Sequence, residues 1–205
     1  AFNHAVSLYE LKEYEKAKEI FLELLKKYPD RMSLLLSIAY CEVYLGNKDI
    51  AISWLEKVKS GEDENHNLKT DDISAEQIFD AYYVLEEFDE FLDYYSNDVI
   101  CQYYLADWEH YYYALWLKDE KEKFFVLEEK NRHYLMDAIK EAIADDDYVS
   151  EEEKKKYIEE LETDKREYEE MISRVKSLTF KPKVRLKLYP EFSCFMVDCV
   201  RHKFK

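Results

Sequence analysis

The sequence predicts an all-α protein: an α-solenoid of helical hairpins, followed by a long C-terminal helix and a short tail with the periodicity of a β-strand. Three observations carry this expectation. Ala17 and Ala51 hold the same place in two look-alike segments, and Ala5 and Ala39 repeat their interval in the helices before them. Repetition with a period of about 34 residues marks stacked helical units, because one hairpin cannot bury its apolar face alone. Only 2 glycines and 3 prolines interrupt 205 residues that are rich in Glu, Lys, Leu and Ala, which favours helix almost throughout. Finally, 47% of the residues are hydrophobic, with 19 Tyr and 11 Phe, so the 37% charged content reads as solvated helix faces around a core and not as disorder.

The first look-alike segment runs from Tyr14 through Ala17, Phe21 and Leu25 to Pro29, and the second from Lys48 through Ala51 and Leu55 to Val58. Each reads as the second helix of a hairpin, with its alanine where antiparallel helices approach closely. The pattern resembles the tetratricopeptide repeat. The first copy supplies Ala5, Leu8, Tyr14, Ala17, Phe21 and the closing Pro29; the second supplies Leu35, Ile38, Ala39, the turn glycine Gly46, Ala51 and Leu55. It departs from the family at Ala1, His4 and Glu42, where tryptophan, leucine and tyrosine are common. The resemblance covers residues 1–60 clearly and becomes degenerate beyond. Ala1 already lies inside the first helix of the pattern, so further residues are expected upstream.

After Gly61 an acidic, polar connection leads through the capping candidates Thr70, Asp71 and Asp72 into Ile78, Phe79, Tyr82 and Tyr83, then Phe88 and Phe91. Phe91 takes the place of the small alanine, at a wider interval from Ala51 than Ala51 keeps from Ala17. A third hairpin is therefore expected in which larger side chains push the helices apart. Tyr104, Trp108, Tyr111 and Leu115 form an apolar face beside Leu105, Tyr112 and Trp116. Phe124 follows Phe91 at nearly the interval between Ala17 and Ala51, which suggests a fourth pair. Helical spacing makes this aromatic stripe core in preference to a base-stacking platform.

Residues 150–179 predict the longest helix, opened by a capping box of Ser150 and Glu153 and striped by Tyr157, Leu161, Tyr168, Met171, Val175 and Leu178. It is expected to cap the open end of the solenoid; a homodimer through a short coiled coil is the alternative. In the tail, Lys181, Lys183, Arg185 and Lys187 alternate with Pro182, Val184, Leu186 and Leu188. The expected divisions are therefore hairpins over 1–128, a helical extension over 129–179 and a basic tail over 180–205.

The net charge of −16 is unevenly distributed: residues 181–205 carry +5 and the rest −21. The tail is expected to lie back on its own acidic helices; an arm reaching nucleic acid is disfavoured, since the acidic body repels phosphate. Two glycines leave no room for a phosphate-cradling loop or a glycine-flanked nucleophile. The histidines His4, His66, His110, His133 and His202 show no metal-ligand spacing on a helix. Cys194, Cys199 and His202 are the nearest approach to a zinc site and want a fourth ligand. Asp145, Asp146 and Asp147 have neither the glycine nor the distal glutamate of a calcium loop. No catalytic residue, metal or cofactor is expected. Four cysteines, with Cys41 and Cys101 completing the set, are too few for a disulfide framework, and no apolar run is long enough to span a membrane, so a cytoplasmic setting is expected.

What the resemblance implies is binding: the first helices of successive hairpins line a groove that holds a peptide or a helix. Carried onto this sequence, the groove positions are Phe2, Val6, Tyr9 and Glu10, then Ser33, Leu36, Tyr40 and Tyr44, then Asp80 and Tyr83. Family members that grip a C-terminal carboxylate use cations and amides; here Phe2, Val6, Ser37, Ile73 and Gln77 stand at those places and provide no cation. The expected function is thus a non-catalytic interaction module with an aromatic, acid-edged groove, suited to a protein or peptide carrying apolar and basic residues. The alternative to an open groove is one filled by the C-terminal extension. The alternative function is an acidic inhibitor or immunity-type protein that blocks a basic, nucleic-acid-handling partner.

Overall fold

A computed structural model describes residues 1–29, 31–59, 75–97, 109–145 and 150–189. Among these the protein is all-α, with nine helices: α1 (Phe2–Glu10), α2 (Tyr14–Lys27), α3 (Met32–Tyr44), α4 (Lys48–Lys59), α5 (Ala75–Val84), α6 (Phe88–Asn97), α7 (Glu109–Leu117), α8 (Lys121–Ala144) and α9 (Glu151–Ser177). No helix among the described residues is long and apolar enough to cross a membrane. By packing, the chain divides into two compact units, one of Ala1–Glu86 with the segment that starts at Arg185, and one of Glu87–Val184.

A single backbone device recurs at the turns after α1, α3, α5 and α7. Lys12, Gly46, Glu86 and Asp119 all have positive φ, between 62° and 80°. Their spacing follows the repeat interval, widened only between Gly46 and Glu86. Each ends its helix in the left-handed conformation that lets the chain reverse. The amide N–H groups of Glu13, Asn47 and Glu120 then donate to the carbonyls of Leu8, Glu42 and Leu115 at 2.9 Å, the six-to-one bond of a Schellman cap. One helical turn and a little more beyond each left-handed residue stands Ala17, Ala51, Phe91 or Phe124, all fully buried. The repeat register read from the alanines therefore continues through four turns, with phenylalanine replacing alanine in the last two. Glycine serves only one of these turns; a Cβ on Gly46 would meet nothing within 4 Å, so its role is conformational and not steric.

Within the first unit α3 is the central helix, packed against α2, α4 and α5. Leu34, Leu35, Leu36, Ile38, Ala39, Tyr40 and Cys41 are buried almost all round it, as an enclosed helix requires. Glu42, where the repeat family commonly has tyrosine, is buried as well. It accepts a hydrogen bond from Asn47 at 2.7 Å and pairs with Lys18 of α2 at 3.4 Å, so the departure becomes a charged tie between hairpins. Lys18 also meets Glu15 at 2.9 Å, and these two carboxylates raise its pKa against the opposing effect of burial.

In the second unit α7 and α8 pack on α9. The Glu153 amide donates to Ser150 Oγ at 3.2 Å, three glutamates occupy the first turn, and Arg174 and Lys176 stand in the last, which suits the helix dipole at both ends. Tyr168, Met171, Ile172 and Val175 are buried, while Tyr157 and Leu178 at the stripe's ends are exposed. The part of the stripe from Tyr168 to Val175 is thus used within this unit. α8 runs unbroken across residue 128.

Residues 181–189 form neither helix nor strand. The alternation read from the sequence nevertheless sorts the side chains: Pro182, Leu186 and Leu188 are buried, and Lys183, Arg185 and Lys187 are exposed. At residues 186 and 187 the backbone groups are taken by side chains of other helices, which leaves no ladder to define a strand.

Candidate functional site

The surface of interest belongs to the first unit and is built from α1, the start of α2, α3 and α5. Tyr40 and Tyr44 lie one turn apart on α3 and share a face with Leu36. Tyr9 of α1 meets both tyrosines, with ring centroids 6.4 Å from Tyr40 and 5.8 Å from Tyr44. Tyr14, the first residue of α2, stacks on Tyr44 at 4.7 Å with the rings 12° from parallel. The Tyr40 hydroxyl donates to the Gln77 carbonyl at 2.6 Å, which ties α3 to α5. Four tyrosines thus form one contiguous aromatic surface.

That surface holds the chain's own segment 185–188. Leu186 N–H donates to the Tyr44 hydroxyl at 3.1 Å, and the Tyr9 hydroxyl donates to the Leu186 carbonyl at 2.8 Å. Gln77 Nε2 donates to the Lys187 carbonyl at 3.3 Å. Arg185 pairs with Glu10 in a short contact at the exposed edge. Leu186 is fully buried and Leu188 nearly so. The three hydrogen bonds grip main-chain groups, which every residue type but proline carries in full; the selectivity therefore lies chiefly in the two leucines and the arginine. Burial, together with the neighbouring Tyr44, Tyr40 and Cys41, pushes the Tyr9 phenol far above the ordinary tyrosine range. It stays protonated and serves as a permanent donor to the segment's carbonyl.

Of the residues placed in the groove by sequence, Phe2, Val6, Tyr9, Leu36, Tyr40 and Tyr83 are buried, Tyr44 and Asp80 are half-buried, and Glu10 is exposed. Tyr9, Glu10 and Tyr44 contact segment 185–188, and Tyr40 adjoins Tyr9 and the Gln77 carbonyl behind them. Phe2 instead faces its own hairpin, against Phe21 of α2 at 5.5 Å. Ser33 Oγ is buried and has no hydrogen-bond partner among the described residues, and Ser37 Oγ donates back to the Ser33 carbonyl at 2.6 Å. Sequence reasoning does not find Tyr14 and Leu186 as site residues. Tyr14 reads as a repeat position, and only the alternation of residues 181–188 hints that Leu186 needs a surface to cover it. Gln77 is present where the carboxylate-gripping pattern has a polar residue, and it binds a carbonyl.

No group of three or more metal-ligating side chains occurs among the described residues. Cys194, Cys199, His202, Cys101, His66, Ile73, Tyr104, Leu105, Trp108, Asp146 and Asp147 lie outside them. Cys41 is buried in α3, and that burial together with Glu42 pushes its thiol up to about 12, so it is not a nucleophile.

The left-handed turn at Lys12, the buried Ala5 and Ala17 and the phenylalanine pair Phe2 and Phe21 all belong to the first hairpin. Residues 1–31 match the tetratricopeptide repeat family model. This repeat match supports a role in binding protein partners. No curated protein and no solved structure matches the chain.

Proposed function

We propose that the protein is a non-catalytic interaction module that binds a protein or peptide through the Tyr9, Tyr40, Tyr44 and Glu10 surface of its first unit. The observation that carries the reading is that this surface already accepts a chain segment by its backbone. Tyr44 receives an N–H and Tyr9 and Gln77 supply donors to two carbonyls. Recognition of main-chain groups with apolar pockets for alternate side chains is how peptide-binding surfaces obtain affinity and selectivity together. The acidic edge at Glu10 and the overall charge of −16 favour a segment that carries cations.

The test is selection from a random peptide display library on the full chain, counter-selected on a Tyr44→Ala chain whose helical circular dichroism is intact. Enriched peptides are expected to lose at least tenfold in affinity for Tyr44→Ala. Peptides or proteins that bind both chains equally overturn the reading. If those ligands are also basic and are released by moderate salt, the acidic-inhibitor alternative takes its place.

A further inference from the structure

We infer that residues Arg185–Leu188 act as an internal pseudo-ligand, and that the partner is an extended segment in which Arg or Lys alternates with a branched apolar residue. This rests on the binding reading above and names both the partner's chemistry and what competes with it. The segment displays the elements a ligand would need. Leu186 and Leu188 are buried, Arg185 meets Glu10, and the intervening main chain is held by Tyr44 at the Leu186 N–H and by Tyr9 and Gln77 at the carbonyls of Leu186 and Lys187. A segment of the same alternation presented by another protein would reproduce every one of these contacts.

Its two buried leucines apart, the segment is built unlike the helical core around it. It forms neither helix nor strand, Lys183, Arg185 and Lys187 are exposed, and its contacts reach helices near the other end of the chain. Such a segment docks as an intramolecular ligand, at an effective concentration set by the chain that tethers it. A partner therefore meets a surface that is free only part of the time, and its apparent affinity is lowered by that fraction. Alternation also explains the direction of selectivity. A shift of one position in register turns the leucines outward and places the cations against Tyr9, Tyr40 and Tyr44, where burial without a partner is costly.

The experiment titrates a fluorescein-labelled peptide, Lys-Pro-Lys-Val-Arg-Leu-Lys-Leu-Tyr, with the full chain and with a full-length Leu186→Ser, Leu188→Ser chain, following anisotropy. The variant's own segment cannot dock, so the peptide is expected to bind it at least tenfold more tightly than the parent. A peptide with both leucines replaced by serine is expected to bind neither. A variant that melts cooperatively and binds no more tightly than the parent overturns the inference. Should that variant fail to fold, the decision passes to Glu10→Arg, which keeps both leucines. It is expected to prefer the peptide carrying Arg185→Glu over the unchanged peptide by about two- to fivefold, the range of an exposed ion pair. No preference overturns the inference. Display-selected ligands that need Tyr44 but have no basic and apolar alternation also overturn it, while leaving the binding reading intact; the absence of any Tyr44-dependent ligand removes that reading itself.

Discussion

The two units use tyrosine for different purposes. In the first, the hydroxyls of Tyr9 and Tyr44 bond to the main chain of a segment far away in sequence. In the second, the Tyr112 hydroxyl is shared between Asn131 and Tyr168, 2.8 Å from the latter's hydroxyl, with Phe124 edge-on to its ring at 5.4 Å. Tyr168 in turn reaches the Glu128 carbonyl at 3.4 Å. A bond to main chain tolerates replacement of the residue that provides it, whereas an amide and two phenols buried together specify one arrangement. The proposed binding surface of the first unit thus relies on bonds that another segment could supply, whereas the phenols of the second unit belong to a sealed core.

The largest effects are expected where the shared register meets different side chains. Phe91 is fully buried at the position that Ala51 holds in the first unit. Phe91→Ala is expected to cost about 3–5 kcal/mol through the cavity it leaves. Ala51→Leu is expected to cost about 1–3 kcal/mol through overpacking of a close helix crossing. Opposite changes in size thus destabilise at equivalent positions, measured by denaturant unfolding. If Phe91→Ala were tolerated while Ala51→Leu was not, the later hairpins would not share the register of the first two.

How much of this was legible in the sequence follows from the same positions. Ala17, Ala51 and Gly46 are small residues whose spacing has few explanations, and they disclosed the first two hairpins. Lys12, Glu86 and Asp119 adopt the same left-handed turn as Gly46 without its signature, so the continuity of the turn was visible only in the backbone. The aromatic groove positions followed from the resemblance, and Tyr9, Tyr40 and Tyr44 do converge. Their occupant could not be chosen in advance. The alternation of residues 181–188 says that one face needs covering, but not which of many acidic helices covers it. Arg185 could have paired with any of 46 acidic residues, and Glu10 becomes its partner only once Leu186 has been placed on Tyr9 and Tyr44.

Removing a single hydroxyl probes the contrast directly. Tyr112→Phe removes the hydroxyl that accepts from Asn131 and is shared with Tyr168 in a buried place, and is expected to cost about 1–3 kcal/mol. Tyr44→Phe removes one bond to a half-buried surface and is expected to cost about 0.5–1.5 kcal/mol. Alkaline pH extends the test. Burial holds the Tyr9 and Tyr112 phenols well above their ordinary range, with the neighbouring Tyr44 adding to it at Tyr9 and Tyr168 at Tyr112. The unfolded chain releases these protons from about pH 10, and the folded chain keeps them. The folded state then binds more protons, so stability is unaffected below about pH 10 and falls as pH rises beyond it. Tyr112→Phe is expected to show a shallower fall, and phenolate absorbance from the buried tyrosines should appear only with unfolding.

The smallest effect concerns Arg185, and it separates anchoring from steering. Arg185 is 64% exposed and Glu10 is 41% exposed, so water and salt screen their pair. Arg185→Ala is expected to change unfolding stability by under about 1 kcal/mol, since exposed pairs rarely contribute more. It removes none of the main-chain bonds and neither leucine, so the segment should remain docked. Amide hydrogen exchange at Leu186 reads this directly. Protection there is expected to persist in Arg185→Ala and to disappear in the double leucine variant. Were Arg185→Ala alone to abolish protection at Leu186, the ion pair would be the anchor and the leucines secondary, and docking would then weaken steeply with salt. The buried Leu186 and Leu188 make the opposite expectation the physical one: desolvation of two leucines holds the segment, and the charge at Glu10 selects which segment is held.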